Sequence, residues 1–259
     1  MAVESAKIPV QEQFDRCASH YLHDSPMADR KLLDLITQSA EPQPSHHVLD
    51  VACGAGFLVC AFAPLVRRVV GVDLSASMLR EAEKIAIDFG WANTDFYQAD
   101  GETLPFADEV FDIVSCKLAL HYFPHPARVI AEMKRVARRG GRIVMVDRVA
   151  SEDGQKQEYH NRIEKLRTPS KIKVYAPSEI VGLMEGEGMA IELFHRYEQH
   201  EDVEEWLATT GAAEDNRQRA RELLLDSVEE NLAGLKLFFD RERLMMTHDT
   251  AVFVASRMK

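Results

Sequence analysis

The stretch VLDVACGAG, residues 48–56, decides the reading of the whole chain. It opens on an apolar run of strand length, and Gly54 and Gly56 then free the backbone for a sharp turn that can come close to a ligand. Such a strand-to-turn passage serves dinucleotides and other adenosine-containing cofactors alike. The dinucleotide fingerprint, however, asks for a small third residue where the helix packs, and Val59 stands there. The Tyr-x-x-x-Lys pattern of a nicotinamide-dependent oxidoreductase is also missing, so that class is set aside.

Outward from this turn, short apolar runs alternate with amphipathic stretches, the pattern of parallel βαβ units in a sheet covered on both faces. Strands are expected at residues 48–51, 68–73, 94–99, 111–116 and 142–147. A helix is expected over residues 75–89, capped by Ser75, with Met78, Leu79, Ala82, Ile85, Ala86 and Phe89 as its core stripe. Two helices broken near residues 24–26 precede the linker EPQPSHH. After residue 147 come a polar helix ending at Thr168 before Pro169, a helix over 177–187, a strand over 190–197, polar amphipathic helices within 201–233 and a final strand over 250–257. The expected fold is α/β, a Rossmann-like doubly wound sheet of seven mostly parallel strands with an antiparallel last strand. One domain spans residues 1–259: an N-terminal helical lid (9–45), a core (46–148) and substrate-side lid segments (151–176 and 198–247).

The formal charge of −11 argues against a nucleic-acid partner. The densest basic group, Lys134, Arg135, Arg138, Arg139 and Arg142, reads as cations in the last turn of a helix and in the turn after it. No apolar run has spanning length, and the four cysteines form no CxxC pair, so the expectation is a cytoplasmic protein without membrane insertion. The MAVESAKIPV start lacks signal-peptide character.

Asp73 closes the second strand, 17 positions after Gly56, where an acid can accept from both hydroxyls of a ribose. With Asp50 the turn reads DxAxGxG. Together with VVGVDLSASML, QADGETLPFADEVFDIVSC and EMKRVARRGGRIVMVD, it resembles the class I S-adenosylmethionine-dependent methyltransferases, closest to the subgroup of ubiquinone and menaquinone C-methyltransferases. The resemblance implies S-adenosyl-L-methionine as cofactor. It further implies that Asp50 orients the turn, that the backbone at Ala52, Gly54 and Gly56 lines the methionine and ribose portions, and that Asp73 holds the ribose. Leu74 and Met78 would flank the adenine, Asp100 and Gly101 would meet its amino edge, and Lys117 would lie beneath the methionine part. Tyr21 matches an aromatic that some relatives close over the cofactor. Two departures stand out: Ala52 replaces the first glycine, and Arg139 replaces the proline before Gly140 and Gly141.

Methyl transfer from a sulfonium is an in-line displacement, so much of the acceleration can come from positioning in a water-poor pocket. A base is needed where the acceptor carries a proton. His121, following the fourth strand at the carboxyl edge of the sheet, is the candidate base, with a wall or packing histidine as the alternative. His121 and His125 have helical metal-site spacing, but Pro124 intervenes and no third ligand is evident, so no metal is expected. Tyr122, His160, Glu164 and Arg167 are candidate acceptor contacts, and the expected acceptor is a small phenolic, quinone-like or polyketide-like molecule methylated on carbon or oxygen. The alternative is a protein of the same fold that binds the cofactor without methyl transfer, as an isomerase or regulatory binder. The helices within 201–233 could cover a pocket or a neighbouring subunit, which leaves a homodimer open.

Overall fold

The computed structural model describes residues 2–17 and 28–257. They fall into two compact units: the first comprises Met1–Asp147, Val181–His195 and Val252–Lys259, the second Arg148–Ile180 and Arg196–Ala251.

The first unit carries helices α1 (Ala2–Cys17), α2 (Arg30–Ala40), α3 (Phe57–Phe62), α4 (Ala76–Asp88) and α5 (Pro126–Val136) around strands β1 (His47–Val51), β2 (Arg68–Asp73), β3 (Thr94–Gln98), β4 (Phe111–Lys117) and all but the last two residues of β5 (Ala137–Val149). β1 pairs in parallel with both β2 and β4, β2 with β3, and β4 with β5. The central strands are nearly continuous apolar runs because helices cover both faces: Val48, Leu49, Ile113, Val114, Ile143 and Val144 are fully buried. α4 begins where Ser75 accepts the Met78 N–H at 3.1 Å and buries Met78, Leu79, Ala82 and Ala86. Phe89 breaks the expected stripe. It falls just past the helix end, where the chain turns at Gly90, and is 67% exposed.

Beyond the core lie α6 (Gly154–Arg167), α7 (Pro177–Gly186), β6 (Met189–Asp202), α8 (Val203–Ala208), α9 (Glu214–Asp226), β7 (Phe238–Asp240) and β8 (Arg243–Arg257). The strand order is β3-β2-β1-β4-β5-β8-β6, with the last strands antiparallel as expected. The sheet has eight strands rather than seven, because β7 folds back antiparallel on the start of β8. β5 starts at Ala137, not residue 142, so Arg138 and Arg139 extend from a strand rather than a loop. Arg138 pairs there with Asp112 at 2.7 Å, and Arg139 with Glu109 at 3.2 Å.

Within the second unit, α6 starts on Asp153, which accepts the Gln155 and Lys156 N–H groups, and ends at Thr168 as read from the sequence. Ile163, Val203, Trp206, Leu207, Ala220, Leu224 and Met246 form a core of its own. No described helix is long and apolar enough to cross a membrane.

Candidate cofactor and active site

β1 lies between β2 and β4, so the strand order reverses there, and the carboxyl ends of these strands open a crevice at the switch point. One cavity in the first unit occupies it. Its lining includes Asp50, Ala52 and Gly54 from β1 and the glycine turn, Asp73, Leu74 and Met78 from the end of β2 through the start of α4, Asp100 and Gly101 from the loop after β3, and Lys117 and Tyr122 from the end of β4 and the turn beyond it. Ten of the residues singled out from sequence thus meet around one space, although they come from four separate segments. Tyr21 lies outside the described residues.

The turn is rigid. Its backbone is anchored by the Cys53 N–H on Val72 O at 2.9 Å, while Gly54 N–H donates to Asp73 Oδ2 at 2.8 Å and Ser75 N–H to Asp73 Oδ1 at 2.9 Å. Ala52 holds a left-handed φ of 56°, which glycine accepts freely and alanine does not. Gly54 is also left-handed, and a Cβ there would project into open space within the cavity, leaving room for a close backbone approach to a ligand. Gly56 does not line the cavity. Its Cβ would sit 2.9 Å from Ala82 Cβ, so this glycine lets the turn and α4 pack together.

The electrostatics are unusual. Asp50 is buried and accepts from Ser115 Oγ at 2.7 Å; burial lifts its carboxyl to about 7, against that hydrogen bond and the nearby Lys117. Burial likewise pushes Lys117 down to about 8, with Asp50 opposing, and raises Asp73. A cavity with apolar walls that concentrates carboxylates suits a cation with hydroxyl and amino groups to donate. S-adenosylmethionine has this character, so the residues fit it.

His121 occupies a short 3-10 turn, Leu120–Tyr122, and does not line the cavity. Its ring is buried, with Nδ1 2.6 Å from Asp147 Oδ1, and its backbone N–H donates to Asp147 Oδ2 at 3.1 Å. The ring packs on Tyr122 at a tilt of 47°, with 4.4 Å between centroids, and Tyr122 does reach the cavity. Sequence reasoning missed Asp147, although an acid at the carboxyl end of a strand was the available signal. It also missed Lys7, Val10, Gln11 and Phe14 of α1, which line the cavity from a helix with no motif.

The remaining candidates lie in the second unit. Glu164 is buried against Lys171 at 2.8 Å, and Arg167 donates through Nε to Trp206 O at 2.8 Å with its guanidinium 4.1 Å over the Trp206 ring. These two expected acceptor contacts are committed to an internal charge network. His160 is buried beside Glu164 and lines a cavity of about 300 Å³ within this unit.

Comparison with known proteins matches a methyltransferase domain model to residues 49–145. An uncharacterised methyltransferase of Bacillus subtilis, YcgJ, is 31% identical over 206 residues, covering 80% of this chain and 81% of that protein. The crystal structure of the YcgJ protein superposes with a TM-score of 0.82 at 27% identity, over 88% of this chain and 98% of that one. The ubiquinone/menaquinone biosynthesis C-methyltransferase UbiE of Hahella chejuensis is 39% identical over 104 residues. That match covers 39% of this chain and 42% of the relative, less than half the length of either.

Proposed function

The chain belongs to the class I S-adenosylmethionine-dependent methyltransferases, and from that premise we propose that it methylates carbon or oxygen of a small phenolic, quinone-like or polyketide-like acceptor. Bound S-adenosylmethionine supplies a methyl group on a sulfonium sulfur, an electrophile that needs only an aligned nucleophile. The chain's own residues then have three tasks.

The first is to hold the cofactor. Asp73 accepts from the ribose hydroxyls, Asp100 from the adenine amino group, and Leu74 and Met78 flank the adenine ring. The backbone at Gly54 and the Asp50–Lys117 pair face the methionine portion. Exclusion of water is the second task, carried by the apolar side chains that line the cavity, among them Val10, Phe14 and Phe123. The third is to remove a proton from a hydroxylic or enolic acceptor. The carboxylate-bound imidazole of His121 carries this part of the reading. Asp147 on Nδ1 fixes the tautomer and orients the ring behind Tyr122, the acceptor wall; because His121 itself does not line the cavity, this step requires Tyr122 to move aside.

Incubation with S-adenosylmethionine and a panel of phenols, quinols and polyketide-like enols, followed by mass analysis, tests the proposal. The expected result is an acceptor heavier by one methyl group and an equal yield of S-adenosylhomocysteine. His121→Ala and Asp147→Asn should lower kcat by about 10²-fold or more, with cofactor affinity kept. Conversion of an acceptor without consumption of cofactor would replace this reading with the isomerase alternative.

A further inference from the structure

α1 presents Lys7, Val10, Gln11 and Phe14 to the cofactor cavity, at offsets of three, four and seven residues along one helical face. This face is pinned near both ends. At one, Lys7 Nζ lies 2.5 Å from Asp100 Oδ2 and 2.8 Å from Glu102 Oε2. At the other, Asp15 Oδ1 accepts from Ser75 Oγ at 2.5 Å and from the Ser77 N–H at 3.3 Å. Between them Phe14 meets the edge of Tyr122 at 5.1 Å and packs on Ala55 and Met78.

Both anchors touch the groups assigned above to the adenosine half of the cofactor. Asp100 is the adenine acceptor, and the Ser75 N–H is one of the backbone donors on Asp73. An ionised carboxylate offers about four acceptor positions. Lys7 fills one on Asp100 and the Glu102 N–H, at 3.0 Å, another, so the adenine amino group still has a place. Glu102 is the costlier partner to abandon: its side chain is 3% exposed, and it also accepts from the His125 N–H at 3.1 Å. Hydrogen bonds and charge from these two acids outweigh the desolvation of Lys7 and hold its ammonium above the ordinary lysine value.

We propose that α1 is the roof of the cofactor site and Lys7 its latch: the ammonium aims Asp100 at the adenine, and the Lys7–Asp100–Glu102 contact must open each time cofactor is exchanged. The proposal rests on the assignment of Asp100 to the adenine, and the experiment separates the two.

The test is stopped-flow release of S-adenosylhomocysteine from the full chain, together with hydrogen exchange of the α1 backbone amides in the cofactor-free protein. Lys7→Met should speed release roughly tenfold or more, the order of effect for losing one partner of a part-buried charge pair, and should quicken exchange in α1. Lys7→Arg should restore both. Asp15→Asn should quicken exchange at the same helix, giving a second variant should Lys7→Met not fold. In the wild type, release should accelerate with added salt, and that dependence should shrink in Lys7→Met. Failure of Asp100→Ala to weaken binding would remove the adenine assignment. Normal weakening there, with unchanged release and unchanged α1 exchange in Lys7→Met, would overturn the latch alone.

Discussion

At the scale of single residues, the glycine turn is where sequence and chemistry coincide most closely. Asp50, Gly54 and Asp73 were legible because a sharp turn after an apolar strand, followed by an acid at the end of the next strand, is a local pattern with a local cause. Gly56 shared the motif for another reason, contact with α4. Gly56→Ala should therefore destabilise the fold by roughly 2 kcal/mol or more, from a φ of 79° and a 2.9 Å contact with Ala82, measured by chemical denaturation. An unchanged midpoint would show that the turn relaxes. The raised Asp50 and lowered Lys117 lead to a second prediction. With the carboxyl near 7 and the ammonium near 8, part of each group is protonated around neutrality, and an incoming cation favours loss of both protons. Calorimetry in buffers of different ionisation heat should show proton release on binding S-adenosylmethionine near pH 7, and less with neutral S-adenosylhomocysteine. Proton uptake would contradict it.

Elements were read well where their periodicity was strong. β2 matches its expected residues, α4 and α7 agree within a residue at either end, and α6 ends within a residue of the expected Thr168. β5, β6 and β8 run longer than their apolar centres, since pairing with a neighbour extends a strand through residues such as Arg138 and Glu198 that carry no strand signal. α6 was read as a polar helix. It instead buries His160, Ile163, Glu164 and Arg167. Its charges are matched inside the second unit, chiefly by Lys171, and no sequence pattern foretells a partner outside the helix. Glu164→Gln should cost about 3–5 kcal/mol, because Lys171 and Arg167 would stay buried without their carboxylate. Denaturation of the variant checks this, and a loss below 1 kcal/mol, on the order of a surface pair, would mean that the network is wet.

For the whole molecule, acid response follows from buried carboxylates shifted in opposite directions. Despite a burial penalty that raises it, Glu201 is held at about 2 by Arg148 and His248, and Glu164 well below 4.5 by Lys171 with His160 and Arg167. Folded values depressed below the unfolded one contribute stability above about 4.5, lost progressively as pH falls toward 2. Asp50 acts in reverse: its raised value costs stability as pH climbs from 3.8 to about 7, and none of that cost remains in acid. Hydrogen exchange on lowering the pH through 4.5 should accordingly show α6 and the residues around Glu201 losing protection before β1 does. The opposite order would refute this account.

By itself the sequence determined the alternation of strands and helices, the glycine turn and the carboxylates at the strand ends, and with them the family and its cofactor. All of these are set by contacts within a few residues or by motif order along the chain. Tertiary structure alone decided that Lys7 meets Asp100 across 93 positions, that Asp147 orients His121, and that Glu164 serves the core of the second unit rather than an open face. Such pairings depend on which distant side chain arrives in a low-dielectric space, where a charge must find its partner, and the spacing of residues along a helix or strand carries no record of it.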